Sequence, residues 1–291
     1  MMDVVNYCGI SGGKDSAATA LWLIHESGLD PATFRFAFCD TGNEHQLTYD
    51  HIQYLSDTFE AMGAPRIVTL NPDLSFYDLA RKKGRFPSTK ARFCTQYLKV
   101  IPTRKDIERL HADGLEVVLF SGTRAAESHA RAQLPESGFD DGFGCYVRRP
   151  LLRWSLDDVM QYHKRFDVRL NPLYELGATR VGCFPCIMSN KQEIRLIAAQ
   201  FPERIDELEI AENSFNSERG FSSFFRRNHV PLRHRSKTII DKKGRAVRVP
   251  TIRDVVEWSQ TVERARFRGP RLFDYEPDHG LVCDSGRGLC E

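Results

Sequence analysis

Val4-Val5-Asn6-Tyr7-Cys8-Gly9-Ile10-Ser11-Gly12-Gly13-Lys14-Asp15-Ser16 is the stretch on which the fold turns. Residues 3–8, with Val4, Val5 and Tyr7, read as a strand. Ser11-Gly12-Gly13 cannot easily continue it, and residues 17–25 supply strong helix formers. A second apolar run at 34–39 ends in Asp40-Thr41-Gly42, and a helical pattern from about 48 to 62 follows it. Residues 66–70 and 116–121 are further strand candidates, the latter running into Gly122, and 103–113 reads as a crossover helix. Strands alternating with helices predict an α/β fold with a parallel sheet covered on both faces. Ligands in such sheets bind beyond the carboxyl ends of the strands. The loops that begin at Gly9, Asp40 and Gly122 are therefore expected along one edge, within reach of one substrate.

Outward from this core, the chain of 291 residues is long enough for one large or two small domains. Lys and Arg number 41 against 39 Asp and Glu, so the sum of charge points neither to a nucleic-acid-coating protein nor to an acidic solvating one. No basic leader with an apolar core opens the chain, and no apolar run approaches 18 residues. A cytoplasmic protein without a membrane span is expected, its eight cysteines reduced, metal-bound or catalytic. Ser155 can cap a helix running to about residue 165, with Asp157 and Asp158 in its first turn. Beyond residue 190 the α/β rhythm is lost, and 192–213 reads as an acidic helix broken by Pro202. The expected organisation is a nucleotide-binding domain over 1–190 and a helical and irregular extension over 191–291.

Ser11 to Ser16 stands between strand and helix, where backbone N–H groups and the helix dipole can grip a phosphate. Gly12 and Gly13 allow close approach, Ser11 and Ser16 add hydroxyls, and Lys14 neutralises developing charge. The spacing is not that of G-x-x-x-x-G-K, and the bland alternative is a structural turn. Arg124, after the 116–121 strand, can clamp a phosphate or sulfate; its alternative is a surface ion pair with Glu127. Asp40 can orient a ribose, an amide or magnesium, or close an Asx turn before Gly42.

In this order the motifs resemble a known family. Residues 11–16 resemble the PP-loop of the adenine-nucleotide α-hydrolases, and Asp40-Thr41-Gly42 resembles the acidic turn of their phosphoadenosine phosphosulfate (PAPS) reductase branch. Gly122-Thr123-Arg124 with Glu127-Ser128, Pro150-Leu151-Leu152 before Trp154, and Asn171-Pro172-Leu173-Tyr174 also fit that branch and its phage and DNA-phosphorothioation relatives. The resemblance covers about residues 3–200. It implies a PP-loop fold, binding of ATP with Mg2+, and a site built from Ser11, Gly12, Gly13, Lys14, Asp15, Ser16, Asp40, Gly122 and Arg124. Of these, Lys14, Asp15, Asp40 and Arg124 are the expected catalytic residues.

Cys183 and Cys186 have the two-residue gap that lets both sulfurs meet one metal, and Cys94 lies 89 positions before Cys183. The family's iron–sulfur members place a Cys-Cys pair and a later Cys-x-x-Cys around a [4Fe–4S] cluster, so the resemblance implies Cys94, Cys183 and Cys186 as three of four ligands. Thr95 occupies the fourth position here, which leaves Cys283 or Cys290 as the candidate. Zinc on the same ligands is the alternative. Cys8, Cys39 and Cys145 lie in or beside apolar runs and read as buried and inert.

Residues 219–253 hold eleven Lys or Arg and one acid, Asp241, interleaved with Phe221, Phe224 and Phe225. This pattern suits phosphate neutralisation and base stacking, or else a solvated face or a partner for the preceding acidic helix. Together these features predict an ATP-dependent enzyme that adenylates an acceptor, a nucleic acid being the partner in view, for transfer of sulfur from a donor or reductant protein. Family reductases have a degenerate PP-loop and a C-terminal catalytic Cys motif, whereas this loop is intact and the chain ends Gly-Leu-Cys290-Glu291. The alternatives are a PAPS or adenylylsulfate reductase, and a non-catalytic nucleic-acid-binding or redox-sensing module.

Overall fold

The computed structural model describes residues 3–218, 222–225, 230–241 and 243–261. Among them, one compact unit comprises residues 3–79 and 92–184, and a second comprises 80–91 and 185–261. Strands β1 (Val4–Ile10), β2 (Phe34–Cys39), β3 (Val68–Leu70), β4 (Glu116–Phe120), β5 (Ser137–Asp140) and β6 (Cys145–Arg148) form a sheet in the order β3-β2-β1-β4-β6-β5. Every pairing is parallel except β5 with β6. The expected α/β sheet is thus present, with the correction that one edge is an antiparallel hairpin. Its turn is a local Asx device: Asp140 Oδ1 accepts from Gly142 N at 2.8 Å and Phe143 N at 3.2 Å, and Gly144 takes φ +67°.

Helices α1 (Lys14–His25), α2 (Gln46–Ala61), α3 (Phe76–Lys83), α4 (Phe93–Thr95), α5 (Ile101–Ala112), α6 (His129–Ala132), α7 (Leu156–Arg165) and α8 (Pro172–Glu175) follow in chain order. Leu21, Phe36, Leu55, Phe59 and Val159 pack one face of the sheet, so α1, α2 and α7 cover it. Tyr7, Ile107, Leu119 and Val147 pack the other, under α5. Ser155 caps α7 as its sequence suggests, with Asp158 completing a capping box. The helix expected from residue 103 starts earlier, because Pro102 is tolerated in the first turn of α5. A five-residue π turn, Gln96–Val100, leads into α5 and carries Lys99.

The second unit contains α9 (Lys191–Gln200), α10 (Pro202–Glu218), a hairpin of β7 (Lys237–Ile240) and β8 (Ala246–Val249), and α11 (Ile252–Gln260). Pro202 separates α9 from α10, as its position in the sequence requires. No helix among the described residues is long and apolar enough to cross a membrane.

Strand order reverses at β1, whose neighbours are β2 and β4. Ile10 is level with Phe38, and Cys8 with Phe120, so all three strands end at one edge. Gly122, just beyond β4, lies against the start of α1: a Cβ there would stand 2.8 Å from Asp15 O and 2.9 Å from Thr19 Oγ1. Backbone cannot retreat as a side chain can, so Gly122→Ala is expected to cost about 1–3 kcal/mol. The check is urea unfolding, with a lower midpoint at unchanged slope.

Candidate functional site

The loop between β1 and α1 is organised by its own hydroxyls. Ser16 Oγ donates to Gly13 O at 2.9 Å and accepts from Ser11 N at 3.2 Å, while Ser11 Oγ accepts from Gly13 N at 3.2 Å. Gly12 adopts φ +78°, and a Cβ there would meet Thr48 Cγ2 at 2.9 Å. Gly13 is the N-cap of α1 and offers that helix no side-chain hydrogen bond. The positive end of a 12-residue dipole therefore faces the loop with no cap from the N-cap residue itself.

The Asn171–Tyr174 motif buttresses this loop. Asn171 caps α8 and donates from Nδ2 to Gly12 O at 3.4 Å and Thr48 Oγ1 at 3.3 Å. Tyr174 OH accepts from Lys14 N at 3.2 Å, and Lys14 Nζ stands 5.2 Å over the Tyr174 ring. His163 of α7, which the motif reading passed over, places Nε2 2.7 Å from Lys14 O and Nδ1 3.2 Å from Val168 O. Burial lowers the pKa of this ring. A neutral imidazole has one N–H, and we assign it to the shorter contact, which ties α7 to the first residue of α1.

Arg124 and Asp15 meet in the interior. Arg124 Nε donates to Asp15 Oδ1 at 2.5 Å, Lys14 Nζ lies 3.2 Å from Asp15 Oδ2, and Arg124 and Asp15 are 6% and 1% exposed. The surface pair of Arg124 with Glu127 is not formed. Glu127 instead accepts from Arg124 N at 2.9 Å and pairs with the buried Arg131. The reason is local: residues 125–127 form a 3₁₀ turn that turns the Glu127 carboxylate back on the Arg124 amide.

A shallow, open cleft lies at the ends of β1 and β2. Ser11, Ser16, Cys39, Glu44, Lys99 and Thr103 are among the residues that line it. Cys39 is thus half-buried at a cleft rather than sealed in the core, although burial still raises its thiol pKa. Cys8 and Cys145 are buried as expected, and burial pushes the Cys145 thiol up to about 11. Asp40 forms the Asx turn, Oδ1 accepting from Gly42 N at 2.9 Å, and also accepts from Tyr49 OH at 2.7 Å. Glu44 was not foreseen, because a lone Glu in a turn carries no signal of burial. Its carboxylate accepts from Thr41 N at 3.1 Å and Thr41 Oγ1 at 2.7 Å.

Cys183 joins that turn, with Sγ 3.8 Å from Glu44 Oε1 and 3.6 Å from Thr41 Oγ1. Cys94 is half-buried on α4. Cys186 belongs to the second unit, where its sulfur accepts from Met188 N at 3.4 Å. Cys283 and Cys290 lie outside the described residues. Three thiols are the right donors for an iron–sulfur or zinc centre, but among the described residues no three His, Cys, Asp or Glu side chains are grouped to hold a metal ion. The described residues therefore do not by themselves assemble that centre.

In the second unit Arg253 pairs with Asp206 and Glu209 of α10, and Arg245 with Asp241. Part of the basic run is thus the partner of the acidic helix before it. Phe224 and Phe225 are buried, Phe224 against Phe86, so they offer no face for base stacking. Phe221, Arg219, Arg226, Arg227 and Lys242 lie outside the described residues.

Comparison with known proteins adds a family. A family model described as the phosphoadenosine phosphosulfate reductase domain matches residues 6–189. The chain is 36% identical to an uncharacterized 37.8 kDa protein of Escherichia phage 186, covering 99% of this chain and 97% of that protein. It is 27% identical to an adenosine 5'-phosphosulfate reductase of a Chelativorans species over 60% of this chain and 66% of that one. A crystal structure of a PAPS reductase from Candida auris, a phosphate complex, superposes with a TM-score of 0.47 at 21% identity, covering 62% of this chain and 81% of that one.

Two outcomes follow from this geometry. Arg124→Leu leaves Asp15 buried without its guanidinium and is expected to destabilise the protein by about 3–5 kcal/mol. In a double-mutant cycle, adding Asp15→Leu is expected to restore part of that loss. His51 of α2 is buried, and desolvation, reinforced by His163 and Arg169, lowers its pKa from 6.5 to about 4. The unfolded chain therefore binds this proton more tightly, so stability is full above pH 6.5 and falls as pH drops toward 4, by roughly 3 kcal/mol from this residue. Urea midpoints measured across that range, in wild type and His51→Gln, give the check: the variant's slope with pH is expected to be shallower.

Proposed function

The chain belongs to the phosphoadenosine phosphosulfate reductase domain family, and on that premise we propose that it is an enzyme cleaving ATP between the α and β phosphates. In this reading an acceptor oxygen is adenylated, for later displacement by sulfur, and a nucleic acid is the proposed acceptor. The observation that carries it is the intact Ser11–Ser16 loop at the start of α1, on the edge where strand order reverses.

The chemistry would run as follows. The acceptor oxygen bonds to the α-phosphorus as the bond to the bridging oxygen breaks, and pyrophosphate leaves with the electron pair. Phosphate oxygens would take the loop N–H bonds now held by the Ser11 and Ser16 hydroxyls, while the Ser16 hydroxyl proton stays on Gly13 O. Lys14 Nζ, at the mouth of the helix, would shift from Asp15 toward the departing pyrophosphate. Asp15 and Arg124 keep the loop in place from behind rather than touching substrate. Magnesium bound with the nucleotide would supply further neutralisation of phosphate charge. Asp40 and Lys99, beside the cleft, would orient the remainder of the nucleotide.

A second reading is reduction of adenylyl sulfate or PAPS, favoured by relatives named as adenosine 5'-phosphosulfate reductases. The two differ in product. ATP converted to AMP and pyrophosphate, with Lys14→Ala lowering turnover by about 100-fold or more, supports the first; thiol-dependent sulfite release with no ATP cleavage supports the second. Neither product would leave a non-catalytic module. We also propose a thiolate-held metal centre at Cys94, Cys183 and Cys186, with Cys283 or Cys290 as fourth ligand, [4Fe–4S] in first place and zinc in second. Iron, sulfide and zinc analysis after anaerobic purification tests it: equal iron and sulfide lost in Cys94→Ala is the expected result, and the absence of all three would remove the proposal.

A further inference from the structure

Each of three shielded arginines in the first unit has a carboxylate. Arg35 forks onto Asp106 at 2.7 and 2.8 Å, Arg124 meets Asp15, and Arg131 meets Glu127. Arg149 is the exception. It is 7% exposed, its Nη1 donates to Pro135 O at 3.0 Å, and its Nε has no hydrogen-bond partner. No carboxylate among the described residues forms an ion pair with it; Asp140 on β5 is the acid whose field it feels. A buried guanidinium with one carbonyl acceptor and no counter-ion is costly, and proteins tolerate such a group where an anion completes it.

Its position says where that anion comes from. Arg149 directly follows β6, at the edge where β1, β2 and β4 also end, and Ser121 N donates to Arg148 O at 2.9 Å. Strand β4 lies between β6 and β1, so Arg149 is two strand positions from the Ser11 loop, about 10 Å at the usual sheet spacing. Between them stand the buried hydroxyls of Ser121 and Thr123, 2.8 Å apart. Nη1 is committed to Pro135 and Nε, though unpartnered, is closed off from solvent. An arriving oxyanion therefore meets Nη2 first and completes the two-oxygen grip at the Nε–Nη2 edge as the side chain shifts.

We propose that Arg149 is a second oxyanion position, separate from residues 11–16, that receives a phosphate or sulfate group at the carboxyl edge of the sheet. The proposal stands whether or not the loop cleaves ATP. Two sources share this chemistry: a group carried by the nucleotide substrate, and the free inorganic anion.

Titration calorimetry on the full chain with inorganic phosphate, sulfate and AMP, in wild type, Arg149→Leu, Arg149→Lys and Lys14→Ala, tests it. Arg149→Leu is expected to weaken binding by about 10-fold or more, the scale of one charge-assisted pair. Arg149→Lys, which keeps the charge and loses the fork, is expected to fall between. Lys14→Ala is expected to retain the Arg149-dependent site. Weakened phosphate and sulfate binding assigns the position to a free anion; weakened AMP binding alone assigns it to the nucleotide. Should Arg149→Leu fold and bind all three as wild type does, Arg149 merely braces the Pro135 carbonyl and the proposal falls. If the leucine variant does not fold, unchanged binding in Arg149→Lys overturns it equally.

Discussion

The buried contact between Asp15 and Arg124 holds the candidate site in shape. It joins the first turn of α1 to the segment after β4, 109 residues away, across the point where strand order reverses. Gly122 makes the approach possible, since only a residue without Cβ leaves room for the Asp15 carbonyl. The ion pair then fixes what the glycine permits. With Asn171 on Gly12 and His163 on Lys14, three separate parts of the chain converge on one short turn. Such preorganisation matters because amides aimed in advance at developing charge need not reorient during reaction.

Much of this architecture was legible in the sequence, and the reasons are physical. The strand, glycine turn and helix of the first thirty residues impose incompatible periodicities on neighbouring segments, so their boundaries are visible. The common edge of the three loops followed from parallel alternation alone. The β5–β6 hairpin escaped because its strands are four residues long and its signal is confined to the Asp140–Gly144 turn. The alternative reading of Arg124, an ion pair with Glu127, also failed. Local spacing offered Glu127, whereas the true partner is set by tertiary packing that spacing does not encode. Glu44 and His163 were missed for the same reason: their functions lie in burial and in distant carbonyls or hydroxyls.

The second unit shows how a composition signal divides once side chains are placed. Its basic run reads as a polyanion surface, yet Arg253 and Arg245 are engaged with acids and two of the phenylalanines are core. What sequence counts as net charge is therefore partly internal structure. In the same way, the buried arginines are distinguished less by their burial than by whether a carboxylate accompanies them.

The central place of β1 also sets a clock. Its register pairs Val4 with Glu116, so one flank of the strand waits for a partner more than a hundred residues downstream. At ribosomal rates of about 5–20 residues per second, that interval is on the order of 5–20 s. Throughout it, β1 and β2 can pair while the apolar edge destined for β4 stays open to any competing strand. Holding that edge until β4 emerges is thus a task for the nascent chain's surroundings, and an early-terminated product would expose it permanently.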